Sequence, residues 1–66
     1  MKEGDVIEVR QIEFKGIDAA WETWKPAVVR KLEHSRFAVQ ALHGAFDGKG
    51  NDILWLQDRG RGYQWR

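Results

Sequence analysis

Short stretches that alternate apolar and polar residues, separated by polar or glycine-rich turns, are the feature that most constrains this fold. In RFAVQAL, Phe37, Val39 and Ala41 fall on one side of an extended chain. GDVIEVRQIEF is similarly rich in β-branched residues. The stretches predict five strands in an all-β fold, a small barrel with at most one short helical turn. The predicted strands span residues 4–14, 24–33, 36–42, 53–57 and 63–66.

The predicted connections contain residues that are typical of turns and loops. EHSR predicts the tight turn of a hairpin, HGAFDGKGND a long loop, and DRGRG a short turn. KGIDAAWETW predicts a loop between the first two strands, in which residues 19–23 could form one helical turn with Asp18 as its N-cap.

The alternation also predicts which side chains form the core. Ile7 and Val9 share one face of the first strand, and Ile12 continues that face only if the register slips near Arg10 and Gln11. We therefore expect a β-bulge or a sharp bend there. The predicted core comprises Ile7, Val9, Ile12, Phe14, Trp24, Ala27, Val29, Phe37, Val39 and either Leu54 or Leu56.

Length and composition indicate one ordinary globular domain covering residues 1–66. A domain of this size buries only about 60% of the surface that its unfolded chain exposes, so we expect marginal stability and no deep active-site cleft. The absence of cysteine excludes disulfides and thiolate chemistry. No apolar run approaches the roughly 20 residues of a membrane span, and MKEGDVIEVR lacks the apolar centre of a signal peptide. We expect a cytoplasmic protein with no membrane partner.

The net charge of +1 conceals an uneven distribution of charged residues along the chain. Residues 1–24 hold three bases and six acids, whereas residues 25–66 hold eight bases and four acids. A folded barrel mixes the two halves in space, so this asymmetry is a weak argument for a basic face. The modest net charge argues against a dedicated nucleic-acid binder.

Three short motifs resemble those of known small barrels. The sequence shows G-D-x-I-x-V from Gly4, W-x-x-A-x-V from Trp24 and F-x-V from Phe37. Together they resemble the Agenet and Tudor-type branch of SH3-like barrels, and their spacing is also similar to that of type II dihydrofolate reductases. The resemblance implies a single five-stranded SH3-like barrel. The Val-Gln-Ile-Tyr active-site strand of those reductases has no counterpart in ILWLQ, so we expect no reductase activity.

Trp21 lies in the predicted loop between the first two strands, without an apolar partner at matching spacing. The Tudor-type resemblance implies that this loop forms part of an aromatic cage, whose ring faces attract a methylated ammonium or guanidinium by about 0.5 to 2 kcal/mol. By position, Trp21 and Phe46 would be the cage walls, and Asp47 or Asp52 the anionic complement. The alternative is that Trp21 caps an open end of the barrel.

Aromatic and arginine residues alternate in the last third of the chain. Such residues can bind single-stranded nucleic acid, because bases stack on aromatic rings while guanidinium groups pair with phosphates. Trp55 is expected to face away from Leu54 and Leu56, with an exposed indole. The alternative is that Tyr63 and Trp65 close the bottom of the core. The candidate nucleic-acid residues are Arg59, Arg61, Tyr63, Trp65 and Arg66.

Catalytic and metal-binding patterns are weak throughout the sequence. His34 and Ser35 are adjacent on a turn and no acid is spaced to orient the imidazole, and His34 and His43 lack the spacing of a zinc site. DGKGND resembles a calcium loop, but Asp52 occupies the position of its required glycine. We expect no enzyme activity, no metal and no cofactor.

Three functions remain open at the level of sequence. The leading hypothesis is a non-enzymatic binding module that docks a peptide or a partner protein through Trp21, Phe46 and Trp55. The second is a nucleic-acid binder that uses the C-terminal arginines and aromatics. The third is a structural protein that forms homo-oligomers through its exposed aromatic residues.

Overall fold

A computed structural model of the protein describes residues 1–12, 23–46, 50, 52–57 and 62–66. These residues form an all-β fold without helices, which confirms the predicted fold class. The helical turn predicted for residues 19–23 falls almost entirely outside the described residues. No helix in the described ranges has the length and apolar character needed to span a membrane. The strands are β1 (Val6–Gln11), β2 (Lys25–Leu32), β3 (Arg36–Ala41), β4 (Ile53–Gln57) and β5 (Tyr63–Trp65).

The five strands form one antiparallel sheet in the order β4-β3-β2-β1-β5, curled into a half-barrel. Each of β2, β3 and β4 pairs with the strand before it, as expected for a chain of hairpins. β1 pairs with β2 from Val6 to Val9 and with β5 from Val9 to Gln11. Glu8 and Arg66 exchange two backbone hydrogen bonds of 2.9 and 3.0 Å, which extend the pairing with β5. This arrangement is compatible with an SH3-like barrel.

The core lies on the concave side of the sheet and is formed by alternate residues of the strands. The buried residues confirm most of the predicted core, and Leu56, 1% exposed, is buried more completely than Leu54. Ile7, Leu54, Tyr63 and Trp65 pack against this cluster at its margins. Its members are Val9, Ala27, Val29, Phe37, Val39, Phe46 and Leu56.

The predicted bulge in β1 was wrong, and so was the prediction that Ile12 lies in the core. From Val9 to Gln11 the pairing with β5 advances one residue at a time. Ile12 therefore falls on the face opposite Val9 and is 41% exposed. The register shift lies instead in β2, between Val29 and Lys31. β1 pairs with two strands by changing its partner at Val9, and this needs no extra residue. Phe14, also predicted for the core, lies outside the described residues.

The loop after β3 folds back over the sheet and adds Phe46 to the core. Phe46 is only 2% exposed. Its carbonyl oxygen accepts a hydrogen bond of 2.7 Å from the Lys25 ammonium, and the Leu42 amide donates to the Pro26 carbonyl at 3.1 Å. Both bonds connect this loop to the start of β2. They hold the loop against the sheet, next to the core cluster to which the Phe46 ring belongs.

Candidate binding face

The sheet has a second face, here called the outer face, which is directed away from the core cluster. Directly opposed residues of antiparallel strands share a face, so the strand register assigns each residue to one side. Trp55 is opposite Ala38, which is opposite Lys31, and none of the three belongs to the core cluster. The outer face comprises Val6, Glu8, Arg10, Pro26, Val28, Lys31, Arg36, Ala38, Gln40, Ile53, Trp55, Gln57 and Gln64.

Trp55 is the most prominent aromatic residue of the outer face. It is 40% exposed, as expected from its facing away from Leu56. The guanidinium carbon of Arg36 lies 4.2 Å from the centre of its ring, a cation–π contact between neighbouring strands. Arg36 is in turn held by Glu33, whose Oε1 accepts a hydrogen bond of 2.7 Å from Nε. These contacts favour the orientation in which the indole is presented to solvent.

The neighbouring cations lower the pKa of the Glu33 carboxylate. The hydrogen bond from Arg36 lowers the pKa of Glu33, and the positive charges of Arg36 and Lys31 act in the same direction. The Lys31 ammonium lies 3.6 Å from Glu33 Oε2. The Glu33 carboxylate thus pairs with two cations, Lys31 and Arg36, beside Trp55.

Trp24 forms a second cation–π cluster on the same side of the sheet. The guanidinium carbons of Arg66 and Arg10 lie 4.1 and 4.6 Å from the centre of its ring. Arg66 also pairs with Glu8, with Nε and Oε1 3.2 Å apart, and Arg10 Nε donates to the side-chain oxygen of Gln64 at 2.8 Å. The long arginine side chains thus cover part of the indole.

The prediction that Trp24 is a core residue is corrected by this geometry. Trp24 is half-buried, and its contacts are with arginines of β1 and the C-terminal end rather than with the core cluster. Lys25 is opposite Val9, which faces the core. The residue before Lys25 therefore points to the outer face. Counting back along the strand from the buried Ala27 through Lys25 could have revealed from the sequence that Trp24 faces outward. The sequence analysis also missed Arg10 as a residue that contacts Trp24.

Between the two aromatic clusters, the outer face carries apolar and polar side chains. Val6 is 63% exposed and Ile53 is 47% exposed. Arg30 Nε donates to Gln40 Oε1 at 2.8 Å, and the Gln40 amide donates to Asp52 Oδ2 at 3.3 Å. The face therefore combines exposed apolar surface with oriented charged groups.

The residues predicted for an aromatic cage are only partly described. Trp21 and Asp47 lie outside the described residues, so their role stays a prediction. Asp52 is exposed at the start of β4. Phe46 is buried in the core and offers no exposed ring, which corrects its assignment as a surface aromatic. A loop full of glycine and polar residues gave no sign that its phenylalanine completes the core.

The residues predicted for nucleic-acid binding do not share one face where they are described. Tyr63 and Trp65 are half-buried against the core, and the Trp65 ring meets Phe37 edge to face at 5.2 Å. This agrees with the alternative that they close the core. Arg66 lies on the outer side with Trp24. Arg59 and Arg61 lie outside the described residues.

Metal binding finds no support in the part of the chain that the structure describes. No three acidic or histidine side chains there lie close enough together to hold an ion. His34 and His43 are both exposed, at the end of β2 and after β3.

No protein-family model, no curated protein and no solved structure shows significant similarity to this chain.

Proposed function

We propose that the protein is a non-enzymatic binding module that docks a peptide or a partner protein through its outer face, with Trp55 as the anchor. The observation that carries the proposal is the exposed indole held by Arg36 at 4.2 Å. Trp21 remains a second candidate contact, as its position in the sequence predicts. Phe46 is not part of the proposed site.

Two properties of Trp55 favour it as the anchor: the large exposed surface of its ring, and the orientation that neighbouring side chains give to that ring. Tryptophan and arginine are the residues most enriched where a few side chains carry most of the binding energy. A ring whose orientation is already favoured by Arg36 and Glu33 loses less conformational freedom when a ligand covers it, so more of the contact energy appears as affinity. Ile53, on the same face of β4, extends the apolar surface beside the ring.

We further propose that the half-barrel is an SH3-like barrel of the Tudor and Agenet type. The strand order and the motifs beginning at Gly4, Trp24 and Phe37 support this assignment.

The test is selection of binders from a random displayed-peptide library, followed by affinity measurement with variants. Trp55→Ala is expected to weaken the selected peptides by about 2 kcal/mol, or roughly thirtyfold. Val6→Ala is the matched control, since Val6 is exposed on the same face but lies on β1. It is expected to leave affinity nearly unchanged. Circular dichroism confirms that each variant is folded. If no peptide is enriched, or if Trp55→Ala binds as the wild type does, the proposal is wrong.

Single-stranded nucleic acid is the second candidate ligand, and one observation favours it. Arg10 and Arg66 share Trp24, and within the described ranges Glu8 is the only carboxylate that pairs with either guanidinium. Phosphate contacts make affinity fall steeply with rising salt, whereas an apolar peptide contact does not. Titration of a mixed single-stranded DNA at two salt concentrations separates the candidates, and Arg10→Gln should reduce the salt dependence.

A further inference from the structure

The register shift in β2 directs two consecutive cations to the outer face. Val29 faces the core and Lys31 faces outward, and the shift between them leaves Arg30 as the extra residue. Arg30 Nε donates to Gln40 Oε1 at 2.8 Å, so its side chain also reaches the outer face. Regular alternation would have placed these neighbours on opposite faces. Bulges that redirect a side chain in this way often occur next to functional sites.

Arg36 is the third cation on this part of the outer face. Its guanidinium carbon lies 4.2 Å from the centre of the Trp55 ring. Lys31 is opposite Ala38, which is opposite Trp55, so two inter-strand spacings of about 4.7 to 4.9 Å separate the backbones of Lys31 and Trp55. The side chains of Lys31 and Arg36 are 62% and 49% exposed. We call the group formed by Arg30, Lys31, Arg36 and Trp55 the basic end of the outer face.

The basic end carries more positive than negative charge. Glu33 accepts a hydrogen bond of 2.7 Å from Arg36 and lies 3.6 Å from the Lys31 ammonium. Among the described residues, Arg30 contacts no carboxylate, because its hydrogen bond goes to the neutral amide of Gln40. Three cations with one carboxylate leave an excess of positive charge beside an exposed indole. Such a surface is complementary to a ligand that carries carboxylates.

Asp52 favours an acidic peptide over a nucleic acid as the ligand at this end. It is exposed at the start of β4, whereas Arg36 is opposite the last residue of that strand. A single strand of nucleic acid carries a phosphate at every nucleotide, so a strand that follows β4 would bring phosphates close to Asp52. A peptide can place its carboxylates at the basic end and an apolar side chain on Ile53, which is 47% exposed.

We propose that the ligand of the outer face is an acidic peptide segment, whose carboxylates bind Arg30, Lys31 and Arg36 while an apolar side chain covers Trp55. The inference rests on the proposed function, because it uses the same face and the same anchor, and it adds the chemical class of the ligand. Charged groups across an interface contribute more to specificity than to raw affinity. The main expected effect is therefore a preference for acidic over neutral and basic peptides.

The composition of selected peptides is the first test. In the displayed-peptide selection described above, we expect aspartate and glutamate to be enriched several-fold over the unselected library, and lysine and arginine to be depleted. If peptides are enriched without an acidic excess and lose binding to Trp55→Ala, this inference is overturned while the proposed function stands. If no peptide is enriched, both are overturned.

Charge variants provide the second test. The most enriched peptide is synthesised together with a twin in which every glutamate and aspartate is replaced by the matching amide. We expect wild-type protein to bind the amide twin roughly tenfold more weakly, and Lys31→Glu to bind the acidic peptide roughly tenfold more weakly than wild type does. Lys31→Arg is the matched control, because it keeps the charge at the same position and should leave affinity nearly unchanged.

Circular dichroism establishes that each variant is folded. The inference is wrong if the amide twin binds as tightly as the acidic peptide, or if neither Lys31→Glu nor Arg30→Glu weakens binding of the acidic peptide.

A mixed single-stranded DNA separates the two classes of ligand. Both are compared at one ionic strength, because rising salt weakens carboxylate contacts as well as phosphate contacts. We expect the acidic peptide to stay bound in the presence of an equal concentration of the DNA. DNA that binds more tightly than the peptide, and loses affinity in Lys31→Glu, would assign the basic end to nucleic acid and overturn the inference.

Discussion

Phe46 allows the most direct test of whether an aromatic residue in a loop of this protein belongs to the core. Its ring is 2% exposed and belongs to the core cluster, although the residue lies in a loop. A core phenylalanine truncated to alanine costs about 3 to 5 kcal/mol, as lost burial plus the cavity that remains. A domain of this length has a total stability of about 3 to 10 kcal/mol. Phe46→Ala should therefore remove between a third and all of the stability.

Urea unfolding followed by intrinsic fluorescence measures the effect. Each kcal/mol corresponds to about 4 to 8 °C in melting temperature for a domain of this size, so thermal unfolding provides a second measurement. Leu42→Ala is the matched control, because Leu42 lies in the same loop but is 45% exposed, and we expect it to cost less than about 1 kcal/mol. Phe46→Leu keeps a large apolar side chain, and we expect an intermediate loss that remains measurable if the alanine variant does not fold.

An unfolding free energy that changes by less than about 0.5 kcal/mol in Phe46→Ala would refute this reasoning. That result would mean that the ring is at the surface, and it would return Phe46 to the group of candidate ligand contacts. A large loss, with Leu42→Ala nearly neutral, would support the buried position.

Two further predictions test the packing of β4 and the charges beside Trp55. Leu56→Ala should cost about 2 to 5 kcal/mol and Leu54→Ala clearly less, because Leu56 is 1% exposed and Leu54 is only half-buried; equal losses in urea unfolding would contradict the deeper burial of Leu56. The lowered pKa of Glu33 means that its contribution to stability is present above the pKa of the unfolded chain and is lost as pH falls through the folded value. Carboxyl NMR should show that Arg36→Gln raises the pKa of Glu33 toward its ordinary value, and an unchanged pKa would show that the hydrogen bond from Arg36 is not its main cause.

The sequence was sufficient to predict which residues are buried where apolar and polar residues alternate regularly. Phe37 and Val39 are two residues apart in a strand flanked by turn residues, and both are buried as predicted. The same reasoning left Leu54 and Leu56 as alternatives, because both lie on β4 and face the core, and periodicity alone does not distinguish them. Which of two core-facing residues is buried more deeply depends on tertiary packing and not on periodicity.

The misplaced aromatics show what alternation could not predict. Trp24 was placed in the core on the assumption that Pro26 disturbs the alternation, and because the resembling barrels pack a tryptophan at the start of the second strand. The strand parity is instead undisturbed and directs Trp24 to the outer face, where two arginines cover it. Phe46 was placed at the surface because its loop is polar, yet the hydrogen bond from Lys25 holds that loop against the sheet. Strand parity could have placed Trp24 on the outer face, but its arginine partners and the contact between Lys25 and Phe46 join parts of the chain that are distant in sequence, so no local pattern could have revealed those contacts.

The alternation of β4 also determines how well binding can be separated from stability. Trp55 and Leu56 are consecutive, and they lie on opposite faces of the strand. Truncating Leu56 opens the core cluster, whereas truncating Trp55 uncovers mainly Ala38, its neighbour across the strands, which is 5% exposed. The loss of stability in Trp55→Ala should therefore be much smaller than in Leu56→Ala. A loss of peptide binding in that variant can then be assigned to the missing indole and not to unfolding.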